Sequence, residues 1–178
     1  NELGLSNNQI ETIPPEIGKL TRLTYLSLAE NLLTDIPFEI GQLTELRDLS
    51  LRDNRLIRIP STIGLLIELR RFWLQNNKLS VIPLDITKLT KLVYLELEGN
   101  SALPIPPEII AQRKNAQAIL DYLRKRHEEP ARPLNEAKLI LVGQGSVGKT
   151  SIVKRLRGQG FDEAEGKTEG INIESWLL

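Results

Sequence analysis

Gly143-Gln144-Gly145-Ser146-Val147-Gly148-Lys149-Thr150 is the stretch whose residue types and spacing point most directly to chemistry. It matches G-x-x-x-x-G-K-[ST], a pattern suited to phosphate. The glycines let the backbone wrap close to an oxyanion, so that amide N–H groups and a helix N-terminus face negative charge. Lys149 then reaches the β- and γ-phosphate oxygens, and the Thr150 hydroxyl is placed to ligate Mg²⁺. Gly143, Gly145, Ser146, Val147, Gly148, Lys149, Thr150 and the adjoining Ser151 are the expected nucleotide-binding set. Such a loop holds and neutralises; it makes and breaks no bond by itself. The alternative is a glycine-rich turn with an incidental lysine.

A phosphate loop needs a strand before it and a helix after it. Residues 137–142, AKLILV, are a short apolar run ended by a turn signal, as expected of a buried parallel strand. TSIVKRLR follows with helical spacing. A polar, acidic loop then leads to an alternating strand through Ile171, Ile173, Ser175 and Leu177.

The segment before this unit is repetitive. Asn8, Asn31, Asn54, Asn77 and Asn100 are each 23 residues apart, and Pro14, Pro37, Pro60, Pro83 and Pro106, each preceded by Ile, keep the same step. So do the columns Leu3, Leu26, Leu49, Phe72, Leu95 and Leu5, Leu28, Leu51, Leu74, Leu97. The consensus L-x-x-L-x-L-x-x-N-x-L-x-x-I-P-x-x-I-x-x-L is similar to a leucine-rich repeat. In L-x-L both leucines point from a short strand into a shared core, and each repeat covers the next. The asparagine amide, donor and acceptor at once, is expected to satisfy backbone groups where the chain leaves the strand, with its copies stacked as a ladder. Ile-Pro and the following Ile and Leu close the convex side without a full helix. The first repeat begins mid-motif with no polar cap, so further repeats are expected upstream.

Residues alternating with the leucines are predicted to face the concave side: Tyr25, Ser27, Ala29; Asp48, Ser50, Arg52; Arg71, Trp73, Gln75; Tyr94, Glu96, Glu98. An exposed Trp73 flanked by Tyr25, Arg52, Arg71 and Tyr94 is the candidate protein-binding patch, because Trp, Tyr and Arg are the residue types that anchor interfaces. A solvated mixed face with one tryptophan lying flat is the other reading.

After Pro107 the period becomes helical. Ala116, Ile119, Leu120 and Leu123 share one face, Pro107 suits the start, and Pro130 and Pro133 end the helix. One helix is therefore expected to cap the last repeat. Arg124, Lys125 and Arg126 crowd its last turn, where cations favour the dipole. His127, the one histidine, has no ligand set around it and reads as a solvated helix-end residue.

Composition excludes several classes. Lys plus Arg and Asp plus Glu are 23 each, and a net charge of zero argues against a general affinity for nucleic acid or anionic membrane. No apolar run is long enough to span a membrane, and NELGLSNN is not a signal peptide. The absence of cysteine fits a reducing cytoplasm.

Leucine-rich repeats, a capping helix with AILDYLRK, LILVGQGSVGKTS and TEGINIESW, in that order, resemble the Roco family. The resemblance covers essentially the whole chain, and the order of parts and T-x-G-I-x-I-x-x-W are its most specific features. Its members join such repeats to a Ras-like GTPase domain called Roc, usually followed by a dimerising COR domain. The resemblance implies an α/β chain: a solenoid of about five 23-residue repeats over residues 1–106, a capping helix and linker over 107–135, and the N-terminal part of a Roc domain over 136–178. It implies binding of GTP or GDP with Mg²⁺, slow GTP hydrolysis by the whole protein, and a homodimer through COR. Thr168 then falls where the first switch loop senses Mg²⁺ and the γ-phosphate. A protein-interaction scaffold without catalysis and a Roco protein kinase are the alternatives, although no kinase signature is present.

The chain departs from the family's pattern by stopping before the Asp-x-x-Gly second switch, the guanine-reading N/T-K/H-x-D motif and COR. Guanine selectivity is thus inherited from the resemblance, and these residues are expected to act as a repeat scaffold without turnover. In the Ras-like order the first strand is flanked by the third and fourth, and the second pairs only with the third. LILV and INIESWLL would then not be neighbours, and residues after about 158 are expected to lack the Ras-like arrangement.

Overall fold

The first leucine column falls on strands, in the register that the 23-residue step demands, and the second column follows directly after each strand's last residue. A computed structural model describes residues 1–128 and two further strands, Glu136–Leu139 and Glu174–Leu177. The chain divides into two units, Asn1–Pro130 and Ala131–Leu178. In the first, β1 (Glu2–Gly4), β2 (Tyr25–Ser27), β3 (Asp48–Ser50), β4 (Arg71–Trp73) and β5 (Tyr94–Glu96) form one parallel sheet in chain order. Leu3, Leu26, Leu49, Phe72 and Leu95 are mutual partners across it. Leu26, Leu49, Phe72 and Leu95 are wholly buried. A three-residue strand cannot stand alone, so each repeat depends on the apolar area its neighbours cover, about 1.5–3 kcal/mol per fully buried leucine.

The return segments are 3₁₀ turns, Pro15–Lys19, Phe38–Gln42, Ser61–Leu65 and Leu84–Lys88. Each starts from an extended proline, which has φ near its locked value and no N–H to satisfy. Each closes with an i→i+3 bond, as from Leu43 N–H to Ile40 C=O at 3.1 Å. Ile40, Ile63 and Ile86 and the following Leu43, Leu66 and Leu89 are buried, closing the core on the convex side as the consensus requires.

The cap differs from the single helix expected. It is two helices, α1 (Pro107–Ile110) and α2 (Ala116–Glu128), with residues 111–115 between them. The break has a physical cause in the open edge of β5. Leu95 N–H donates to the Arg113 carbonyl at 3.0 Å, and Ala116 N–H donates to the Val93 carbonyl at 3.2 Å. The Gln117 amide adds a bond to the Leu92 carbonyl at 2.8 Å. A continuous helix would use those groups internally and leave the strand edge unsatisfied. The apolar face is as predicted, with Ala116, Ile119 and Leu120 buried in the solenoid core and Leu123 packed beside them. Arg124 bonds Asp121 and the Thr87 carbonyl, Arg126 bonds the Pro104 carbonyl, and His127 is exposed.

In the second unit, β6 (Glu136–Leu139) and β7 (Glu174–Leu177) pair antiparallel, Glu136 opposite Leu177 and Leu139 opposite Glu174. The Ras-like order keeps these two strands apart, so their direct pairing is the non-Ras-like arrangement expected. An edge without its usual neighbour satisfies its N–H and C=O groups on another strand within reach. The remainder of the two predicted strands, including Ile171 and Ile173, lies outside the described residues.

Candidate functional site

The concave face is held in shape by its asparagines. Asn77 Nδ2 donates to the Leu74 carbonyl of its own repeat at 3.0 Å and to the Leu51 carbonyl of the repeat before at 2.9 Å. Its Oδ1 accepts from Leu56 N–H at 3.0 Å. Asn31, Asn54 and Asn100 repeat the pattern. The ladder therefore runs amide to backbone to amide, binding consecutive repeats together rather than stacking amide on amide. The residue before each asparagine turns the chain with positive φ: Glu30 at 55°, Asp53 at 54°, Asn76 at 55° and Gly99 at 76°.

This frame sets the strand residues that alternate with the leucines along one side. Ser6, Tyr25, Ser27, Ser50, Trp73 and Gln75 line a concavity of about 450 Å³ that Arg52 also borders. Arg71 and Tyr94 belong to a second one, of about 710 Å³, with Arg47, Asp48, Arg70 and Lys114. The five residues of the predicted patch are thus shared between two adjoining hollows. Trp73 is half-buried rather than exposed, because its neighbours lean on it. The Tyr94 ring is tilted against it, with centroids 5.7 Å apart, and the Arg71 guanidinium lies 5.6 Å from its centre. Such contacts favour both ring and cation.

Charge on this face is largely internal. Arg71 holds Asp48 through two bonds of 2.5 and 2.7 Å, and that pairing raises the arginine's pKa. Arg52 joins Glu30 at 2.5 Å and Asp53 at 2.8 Å. Glu96 is different: only 4% exposed, its Oε2 accepts from Tyr94 O–H at 2.7 Å and lies 3.4 Å from Arg113. Burial, then the bond to Glu96, pushes the Tyr94 phenol above its ordinary value. Sequence reasoning placed Glu96 on the right face but gave it no role, since neither its burial nor Arg113 is visible in the repeat. The in-phase Gly18, Gly41 and Gly64 were also missed, although their spacing was there to find. A Cβ on Gly64 would stand 2.5 Å from the Asp85 carbonyl oxygen, so successive 3₁₀ turns approach too closely for a side chain.

The predicted phosphate set, Gly143, Gly145, Ser146, Val147, Gly148, Lys149, Thr150 and Ser151, lies outside the described residues, as does Thr168. Among the described residues no cluster of acidic or histidine side chains is grouped to hold a metal ion, and no helix is long and apolar enough to cross a membrane.

Residues 1–56 match the leucine-rich repeat family model, and residues 138–178 match the model of "Ras of Complex, Roc, domain of DAPkinase". The two matches stand in the Roco order, leucine-rich repeats followed by Roc. The repeats are similar to those of the plant peptide hormone receptor RGFR1, solved in complex with RGF2: 44% identity over 57% of this chain and 17% of that one, TM-score 0.54. They are also similar to the ectodomain of the receptor kinase SOBIR1 from Arabidopsis thaliana, at 33% identity over 59% of this chain and 60% of that one, TM-score 0.52. A third likeness is the ectodomain of the plant membrane receptor kinase GASSHO1/SCHENGEN3 from Arabidopsis thaliana, in complex with CASPARIAN STRIP INTEGRITY FACTOR 2. There the identity is 33% over 54% of this chain and 12% of that one, with TM-score 0.50. The chain thus spans less than two thirds of each of these proteins. No curated protein matches it significantly. The leucine-rich-repeat and Roc parts stand on the family matches, and the repeat fold on the solved likenesses as well.

Proposed function

We propose that the protein is a cytoplasmic Roco GTPase in which a repeat scaffold binds a protein and the Roc domain binds GTP or GDP with Mg²⁺ and hydrolyses GTP. The observation that carries the nucleotide part is the G-x-x-x-x-G-K-T stretch, residues 143–150, lying within the Roc match. Its donors suit a magnesium-bound nucleotide: backbone N–H groups and the Lys149 ammonium for phosphate oxygens, and the Thr150 and Thr168 hydroxyls for the metal. When bound, Mg²⁺ would neutralise charge between the phosphates, while the chain's own residues hold and orient the nucleotide. The chemistry of this class is positioning and electrostatic stabilisation, so hydrolysis awaits the water-orienting second switch, which is not among these 178 residues. Dimerisation through a COR domain belongs to the same proposal.

The scaffold part is supported by the concave face, where Trp73, Tyr94, Tyr25 and the arginines gather, and by likeness to receptors solved in complex with RGF2 and with CASPARIAN STRIP INTEGRITY FACTOR 2. Titration with GDP, GTP and ATP in Mg²⁺ tests the nucleotide part, with Lys149→Ala as control. We expect weak or no binding to the 178 residues, and tight GDP binding, lost in Lys149→Ala, in a chain continued through the remaining Roc motifs. Tight binding of ATP in preference to guanine nucleotides, or binding indifferent to Lys149, would overturn it.

A further inference from the structure

Two acceptors on the concave face lack a donor. Glu96 Oε1 and Gln75 Oε1 are both buried and make no hydrogen bond. Glu96 lies on β5 opposite Trp73, and Gln75 stands two residues beyond the end of β4 at Trp73, on the same side, so the orphans belong to adjacent repeats of one face. A buried carboxylate oxygen left unsatisfied is expensive. The surrounding charge does not compensate. Arg52 and Arg71 are engaged with Glu30, Asp53 and Asp48, and Arg47, Arg70 and Lys114 line the hollow beside Tyr94 without an ion pair to Glu96. That leaves Arg113 alone for Glu96 and Glu98, at 3.4 and 3.7 Å. Those contacts are long for a charge-assisted bond, which favours about 2.7–2.9 Å. Arg113 is also half-exposed, at 48%, and sits in the turn between α1 and α2.

We propose that this end of the concave face is a subsite for an arginine side chain of an extended partner peptide, received by Glu96 and Gln75 beside Trp73. The proposal rests on the reading of the repeats as a protein-binding scaffold and names the chemistry of what they bind. A guanidinium carries only donors, five in a rigid plane, and so suits two acceptors on neighbouring repeats. It also packs on aromatic rings, and Arg71 already sits over Trp73 in that manner. At this end of the face Glu96 and Glu98 share Arg113 as their one ion-pair partner among the described residues, which favours a further cation there over an acidic peptide. Arg113 is the resident stand-in. The guest displaces it, and its departure frees Glu96 and Glu98 together.

The indole N–H of Trp73, followed by NMR with Trp176→Phe removing the second signal, reports the subsite while N-acetyl-arginine amide is titrated. The arginine probe moves the resonance, and N-acetyl-glutamate amide does not. Glu96→Gln, nearly isosteric and checked for an unchanged melting temperature, weakens the response about tenfold or more, the scale of one hydrogen bond to a charged group. Arg113→Ala strengthens it, a sign that a merely structural role would not produce. Equal response to both probes, indifference to Glu96→Gln, or weakening by Arg113→Ala overturns the proposal. A displayed library of random linear heptapeptides separates this failure from that of the scaffold reading. Peptides that bind the chain but not Trp73→Ala, with a basic residue at one fixed position, support the subsite. Peptides selected without one sink the subsite and leave the scaffold standing. No selection over Trp73→Ala sinks both.

Discussion

Replacing Asn77 by alanine tests how the repeats are held to one another. Asn77 is 6% exposed, and its amide serves three backbone groups at 2.9–3.0 Å, two of them in the preceding repeat. Alanine leaves Leu56 N–H and the Leu51 and Leu74 carbonyls short of a partner. A net bond is worth about 1 kcal/mol, and a buried donor left without one costs about 1–3 kcal/mol. Carbonyls tolerate the loss better than N–H groups, so we work with a total of about 3–5 kcal/mol. For a unit of this size that lowers the melting temperature by roughly 10–20 °C, read by circular dichroism. Asn8→Ala is the control in the same column, since Asn8 is exposed and serves only exposed carbonyls of its own repeat; we expect a change of about 0.5 kcal/mol. Asn77→Asp keeps the acceptor for Leu56 N–H but turns a carboxylate toward carbonyls, so it should be worse than alanine at neutral pH. If Asn8→Ala and Asn77→Ala cost the same, or if Asn77→Asp is near neutral, the amide is not what joins the repeats.

Three further outcomes follow from the same coordinates. Gly64→Ala should cost about 1–3 kcal/mol in urea unfolding, because its Cβ meets the Asp85 carbonyl; Thr87 carries a side chain in the same column, where α2 follows instead of another 3₁₀ turn. Ile119→Ala should cost about 2–5 kcal/mol, whereas exposed Lys125→Ala in the same helix should be nearly silent; equal effects would deny α2 its capping role. Tyr94 should ionise above the ordinary phenol value in an alkaline absorbance titration, and Glu96→Gln should bring it part-way back, since burial is the larger cause. Because folding keeps that phenol neutral beyond the ordinary value of 10.0, its stabilising share is whole below about pH 10 and is lost as pH rises through the folded pKa. Ionisation of Tyr94 left unmoved by Glu96→Gln would refute the Tyr94–Glu96 contact.

The repeat architecture was legible before any coordinates because a solenoid is nearly one-dimensional. Each residue's neighbours are the same column one repeat away, so Leu26, Leu49, Phe72 and Leu95 announce both their strand and their partners. The ladder asparagines were legible for the same reason, and so was the side on which Trp73 and Tyr94 lie. The G-x-x-x-x-G-K-T pattern could be picked out because it sits within eight consecutive residues, 143–150. The glycine column was equally periodic and was missed because a close approach shows only when two turns are set side by side.

Where periodicity ends, three-dimensional packing took over. A helical pattern alone cannot say that residues 111–115 must unwind, because the demand comes from β5, whose open edge needs the Arg113 carbonyl and the Ala116 N–H. The contact of Glu96 with Arg113 joins β5 to the turn between α1 and α2, and the Tyr94 ring reaches Trp73 from the neighbouring strand, contacts that no spacing encodes. Nor does any local signal set Glu136–Leu139 against Glu174–Leu177; unpaired backbone groups choose among the strands within reach. Periodic contacts repeat along the chain and can be counted there, whereas contacts between unlike elements exist only once the elements have met.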